Sequence, residues 1–174
     1  KNRELNIRAF LSMMVQAEKT QSPEQIDGIG MGKRRIVAGG VKLFVDGSIQ
    51  ANTAAMLAPY KNKPDFKGEM VMSQGDIEEA VLKYHKQGDH ISVHANGDAA
   101  IDNVLDACEA VRDAGIDMSK VRARIEHCSI LHDDQIARMK ELKVSASFLI
   151  GHVHYWGVAM RDEVKVAASE AILA

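Results

Sequence analysis

Apolar and polar positions alternate along residues 4–12, "ELNIRAFLS", placing Leu5, Ile7, Ala9 and Leu11 on one side, as a strand requires. A helix is expected from Ser12 to Lys19, broken by "TQSPEQ". The glycine pair of "VAGGVKLFVDGS" opens a β-rich run that stops at Asp46-Gly47. Residues 48–72 keep no period and hold Pro59, Pro64 and Gly68. They predict a long, loosely patterned loop, which inside a compact domain is usually functional or mobile.

From Ser73 the pattern is regular. Ser73 can cap a helix with Ile77, Ala80, Val81 and Tyr84 at helical spacing, and Gly88 stops it. The strand "HISVHA" meets the corner "NGD", where Asp98 can cap a helix that presents Ile101, Leu105, Cys108 and Val111 on one face and ends at Gly115. "VRARIEHC" reads as a strand, and "LHDDQIARMKEL" as a helix with Ile136 and Met139 inward. "KVSASFLI" is the last clear strand, and "GHVHYWG", residues 151–157, reads as a loop. Such alternation implies parallel strands. A complete eightfold barrel takes about 250 residues, so a single segment 1–174 supplies roughly five βα units, as an open sheet or as part of a barrel.

In either fold the carboxyl ends of the strands form the working face. His94 and His127 both fall there, one repeat apart, and neighbouring strands lie about 4.8 Å from each other, so the two imidazoles could share one ion. Lys42 shares a strand face with Phe44 and Asp46, opposite Val41, Leu43 and Val45. The third strand is less regular. His127 has the parity of Ala123 and Ile125, so a bulge or an Arg124–Glu126 charge network is needed to bring it to the working face. Taken singly, either histidine is more often a hydrogen-bonded core residue than a ligand, and Lys42 a strand-end surface lysine. Their joint placement is what points to a metal.

Composition narrows the partners. The apolar fraction of 46% and charged fraction of 26% are those of an ordinary globular chain. A net charge of −2, with no basic cluster beyond Lys33-Arg34-Arg35, argues against nucleic acid. No apolar run approaches the ~20 residues that cross a bilayer, and no signal-peptide pattern opens the chain. Two cysteines, Cys108 and Cys128, are too few for a disulfide framework and suit a reducing, cytoplasmic setting, with Cys108 as core filler. The start at Lys1 and the alanine-rich close "KVAASEAILA" suggest a segment of something longer.

"VKLFVDGS", "VHANGDAAID" and "RIEHCSILHDDQI", in that order, resemble the amidohydrolase superfamily, in its YtcJ-like, amidohydrolase-3 branch. The resemblance runs from about residue 4 to residue 155 and implies a partial TIM (β/α)8 barrel, about strands three to seven, of a metal-dependent hydrolase acting on amide-type, non-peptide C–N bonds. It implies Lys42 as a fourth-strand lysine that relatives carboxylate to bridge two metals, with His94 and His127 as fifth- and sixth-strand ligands of one or two zinc ions. Burial favours the neutral amine that takes up carbon dioxide. The family's first-strand His-x-His would precede residue 1, and its late aspartate, the expected base, would follow residue 174. No catalytic base is therefore expected within this chain. The 151–157 segment would line the substrate pocket through His152 and Trp156. Asp46 and Arg124 are further substrate-binding candidates, although for Arg124 a structural pair with Glu126 is the favoured reading. His85, His90 and His132 are expected to do nothing specific.

Two readings from other classes remain open. A catalytically incomplete barrel would expose strand edges that seek a partner, including a second copy of itself. An open-sheet binding domain would leave both histidines structural.

Overall fold

The computed structural model describes residues 9–15 and 36–163. Strands β1 (Ala9–Met14), β2 (Ile36–Phe44), β3 (His90–Ala95), β4 (Ala123–His127) and β5 (Ser145–Phe148) form one parallel sheet in chain order. Helices α1 (Gln74–Lys86), α2 (Asp98–Asp113), the single turn α3 (Met118–Val121) and α4 (Asp133–Leu142) lie in the connections, and α5 (Ile150–Glu163) follows β5.

One sheet face is apolar in every central strand. Val41, Leu43, Ile91, Val93, Ala123 and Ile125 are buried in one cluster with Ile77 and Val81 of α1, Ile101, Leu105 and Cys108 of α2, and Met139 and Leu142 of α4. Each large aliphatic side chain buried there contributes about 1.5–3 kcal/mol. The other face carries Phe10, Met14, Lys42, Phe44, His94, Arg124 and Glu126, all exposed or half-buried. A doubly wound sheet reverses its strand order and covers both faces with helices. Here the order never reverses and the α1, α2 and α4 core lies on one face, as in a singly wound barrel wall. The chain is therefore a partial TIM barrel rather than an open sheet, and its half-exposed face is the barrel interior.

Several local expectations need correction. Ser12–Met14 extend β1, so the helix predicted from Ser12 does not start there, and residues 16–19 lie outside those described. Pairing with β2 favours the extended form, across a register shift between Leu11 and Ser12 that the glycine pair absorbs. A Cβ on Gly40 would stand 2.9 Å from both Phe10 and Ser12 side chains, so β1 can approach only a glycine there. Gly97, not Asp98, is the N-cap of α2. Ile136 is 49% exposed, and Gln135 takes the inward position with Met139 and Leu142. Residues 151–157 are helical, inside α5.

The 48–72 segment is not loosely arranged. Ile49, Ala54, Met56 and Tyr60 form a second buried cluster with Ile130 and Met160, and the Tyr60 hydroxyl donates to Ala54 O at 2.9 Å. The segment folds back on the strand ends through Val71 N donating to Val45 O at 2.7 Å. It also reaches α5, where Lys61 Nζ donates to Arg161 O at 2.8 Å. Among the described residues no helix is long and apolar enough to cross a membrane.

Candidate active site

The register carries Lys42, His94 and His127 towards one end of the sheet. Lys42 pairs with Ser92, Phe44 with His94, and His94 with Glu126. Lys42 Nζ lies 5.4 Å from the Phe44 ring centroid, and that ring is 4.9 Å from His94. The His94 and His127 rings meet edge to face at 4.5 Å, and His127 stacks on His152 at 6.1 Å.

The parity problem at His127 is resolved by its backbone. His127 has φ +77° and Cys128 φ +46°, so both leave the extended conformation where β4 ends. Strand alternation stops there, and the imidazole comes round to His94 instead of following Ile125 into the helix-packed core. Left-handed backbone at non-glycine residues costs of order 1–3 kcal/mol and concentrates at functional sites. The charge network is present as well. Arg124 Nε donates to Glu126 Oε1 at 2.7 Å, on the interior face.

Burial shifts the proton affinity of His127 and Lys42. His127 is pushed down to about 4, first by burial and then by the neighbouring charges of His94, Lys42 and His152, so at pH 7 it is a neutral nitrogen donor. Burial also lowers the Lys42 amine below the ordinary lysine range, with Glu126 opposing the shift.

Below this row lies a buried polar support. Asp46, which a substrate was expected to meet, is only 3% exposed and is used internally. Its carboxylate accepts from the backbone N–H of Ala55 (3.1 Å), Asn96 (3.0 Å) and Gly97 (2.8 Å). It thereby clamps the ends of β2 and β3 and the 48–72 segment together. Burial raises its pKa, and these three N–H groups and His94 counter the rise. Gly47 O accepts from His94 Nε2 at 2.8 Å. A carbonyl can only accept, so Nε2 carries a proton, and in the neutral ring Nδ1 keeps the lone pair.

This donor set fits a divalent ion. It offers two imidazoles, that of His127 held neutral, with an amine nearby whose pKa burial lowers, and nitrogen donors of this kind suit zinc. Among the described residues no group of three His, Cys, Asp or Glu side chains is gathered closely enough to hold a metal.

A cavity of about 180 Å³ opens beside His127 and His152 and is walled by Leu131, Phe148, Leu149, Val153 and Met160. His152 lines it, but Trp156 does not; it lies 46% exposed on α5. Arg124 is engaged with Glu126. Sequence reasoning missed Asn96 and Ser129, which bond each other at 2.6 Å beneath the histidines. It also missed His132, whose Nε2 meets Asp98 Oδ2 at 3.0 Å and ties the start of α4 to α2. The "HAN" and "HCS" triplets were the available signal, a polar residue two places beyond each strand-end histidine.

The sequence profile of the amidohydrolase family matches residues 2–171. The chain is 35% identical over 115 residues to protein LONG AFTER FAR-RED 3 of Arabidopsis thaliana, a match covering 66% of this chain and 20% of that protein. It is 28% identical over 119 residues to the N-substituted formamide deformylase of Arthrobacter pascens, covering 68% of this chain and 21% of the enzyme. The crystal structure of an uncharacterized metal-dependent hydrolase from Pyrococcus furiosus aligns with a TM-score of 0.69 at 36% identity, over 84% of this chain and 30% of that one. The chain thus spans about a fifth of the length of these curated relatives and under a third of the solved structure.

Proposed function

Because the chain belongs to the amidohydrolase family, we propose that it forms part of a metal-dependent hydrolase of small molecules, acting on amide-type, non-peptide C–N bonds. The observation that carries this reading is the 4.5 Å meeting of the His94 and His127 rings at the carboxyl ends of adjacent parallel strands. Lys42, His94 and His127 would hold one or two divalent ions, zinc first, with Lys42 as a carbamate. A divalent ion in such a site polarises a carbonyl and makes bound water more acidic.

The chain's own groups do the rest. The Gly47 carbonyl and Asp46 orient His94, and the bend at His127 brings the second imidazole beside it. The cavity beside His127 receives an apolar portion of the substrate, with His152 at its polar end. That the formamide deformylase of Arthrobacter pascens is among its relatives supports an amide as the bond broken.

Both edge strands also support assembly of this wall with further strands, from the same protein or a second copy. Phe10 of β1 and Phe148 of β5 are each 56% exposed, and among the described residues each edge strand has one unpaired side.

The test is metal content and hydrolysis of N-formyl and N-acyl amines, with Lys42→Ala, His94→Ala and His127→Ala compared with the parent protein. Each substitution should weaken metal binding by about tenfold or more and abolish turnover. Unchanged metal content in all three would overturn the assignment.

A further inference from the structure

Asn96 is 2% exposed and every polar group it has is used. Its backbone N–H donates to Asp46 and its C=O accepts from Ile130 N at 3.0 Å. Its side chain lies between Gly47 O, 2.8 Å from Nδ2, and the Ser129 hydroxyl, 2.6 Å from Oδ1. The reverse amide orientation would set two carbonyl oxygens face to face at 2.8 Å, so Nδ2 must point at Gly47. The hydroxyl has a single hydrogen, and Asn96 Oδ1 takes it. Ser129 Oγ also lies 3.0 Å from His152 Nδ1, and with its hydrogen committed it can only accept there. His152 therefore carries a proton on Nδ1, and in its neutral form, which burial favours, keeps a lone pair on Nε2. The 3.0 Å approach of Asn96 Nδ2 to His94 Nε2 follows from two donors sharing the Gly47 carbonyl.

We propose that Ser129, held by Asn96, is a positioning residue that fixes the His152 tautomer, so that His152 Nε2 accepts a hydrogen bond from a substrate N–H and selects amides bearing one. The inference deepens the hydrolase reading and rests on it for the identity of the ligand; the tautomer itself does not depend on that reading. An acceptor in a largely apolar cavity is left unpaired by a ligand with no N–H, at a desolvation penalty that corresponds to about a 10- to 100-fold preference. N-monosubstituted amides present that hydrogen and N,N-disubstituted amides do not.

The experiment has two arms. In the metal-free protein, long-range ¹H–¹⁵N correlation spectra report which imidazole nitrogen of His152 carries the proton. The expected result is Nδ1–H in the parent, a shift towards Nε2–H in Ser129→Ala, and return to Nδ1–H in Ser129→Thr. In the second arm, binding of N-butylformamide and N-butyl-N-methylformamide is measured by calorimetry on the metal-loaded protein. The parent should prefer the first about tenfold or more. Ser129→Ala should lose that preference with its metal content unchanged, and His152→Gln, which keeps an acceptor oxygen, should retain it. A parent already in the Nε2–H form, or a tautomer indifferent to Ser129→Ala, overturns the relay. Equal binding of the two amides, binding of neither, or metal loss in His152→Gln overturns the acceptor role. Failure of the hydrolase reading alone would appear as absent turnover, with the tautomer result intact.

Discussion

The rings of His94 and His127 lie edge to face at 4.5 Å, although the sheet pairs His94 with Glu126 and His127 with Ala95. Strict alternation would put these side chains on opposite faces. The φ of +77° at His127 is what brings them together.

That backbone predicts an unusual order of stabilities. In the metal-free protein, His127→Gly should be more stable than His127→Val by about 1–3 kcal/mol, because a β-branched residue tolerates positive φ worst. Urea denaturation measures this, and equal stabilities would mean that His127 is unstrained.

Two glycines should respond in opposite directions to alanine. A Cβ on Gly97 would lie 1.9 Å from Ala55 O, so Gly97→Ala must push the 48–72 segment off the start of α2, costing roughly 1–3 kcal/mol. In Gly75 of α1 the added Cβ meets nothing nearer than Ser73 Oγ at 3.9 Å. Gly75→Ala should stabilise by up to about 1 kcal/mol through helix propensity. Thermal unfolding of both variants is the check, and an unperturbed Gly97→Ala would contradict the close approach.

Both cysteines should be silent towards thiol reagents in the folded protein. Cys108 and Cys128 are buried, and burial pushes each thiol up to about 12, so thiolate is scarce at pH 8. Modification by a chromogenic disulfide should proceed only as fast as unfolding and reach both thiols in denaturant. Rapid native labelling of either would contradict its placement in the core.

The start of α1 should loosen in acid. Asp76 accepts from the Ser73 hydroxyl and backbone N–H, which hold its carboxyl below the ordinary value of 3.8. A depressed folded value means that this stabilisation is complete above about pH 3.8 and is lost as pH falls through the lower folded value. Ser73→Ala should cost about 1 kcal/mol at neutral pH and bring the Asp76 titration back towards 3.8. Carbon-detected NMR titration of Asp76 reads both effects, and an unmoved titration in Ser73→Ala would rule out the coupling.

Much of the fold could be read from local pattern. The apolar face of β2, β3 and β4 follows from period-two alternation, and the core faces of α1 and α2 from helical spacing, because burial of a continuous face dominates there. The family, too, was readable from three blocks at strand ends. The misses came where distant contacts override local preference. Ser12–Met14 pair with β2, Gln135 displaces Ile136 from the inward position by bonding Asp98 O and Asp102, and residues 151–157 join α5. Asp46 looked available to a ligand because its three N–H partners lie nine or more positions away in sequence.

The order of residues was enough to place His94 and His127 at strand ends one repeat apart, with Lys42 on the preceding strand, since hydrophobic periodicity sets element type and parallel winding sets which end faces the site. It could not determine how the imidazoles are aimed. Left-handed backbone at His127, the proton on His94 Nε2 and the Asn96–Ser129–His152 chain all depend on groups that meet only after the strands are registered. Hydrogen-bond direction and backbone strain are properties of that assembled contact, and no window of neighbouring residues contains both partners.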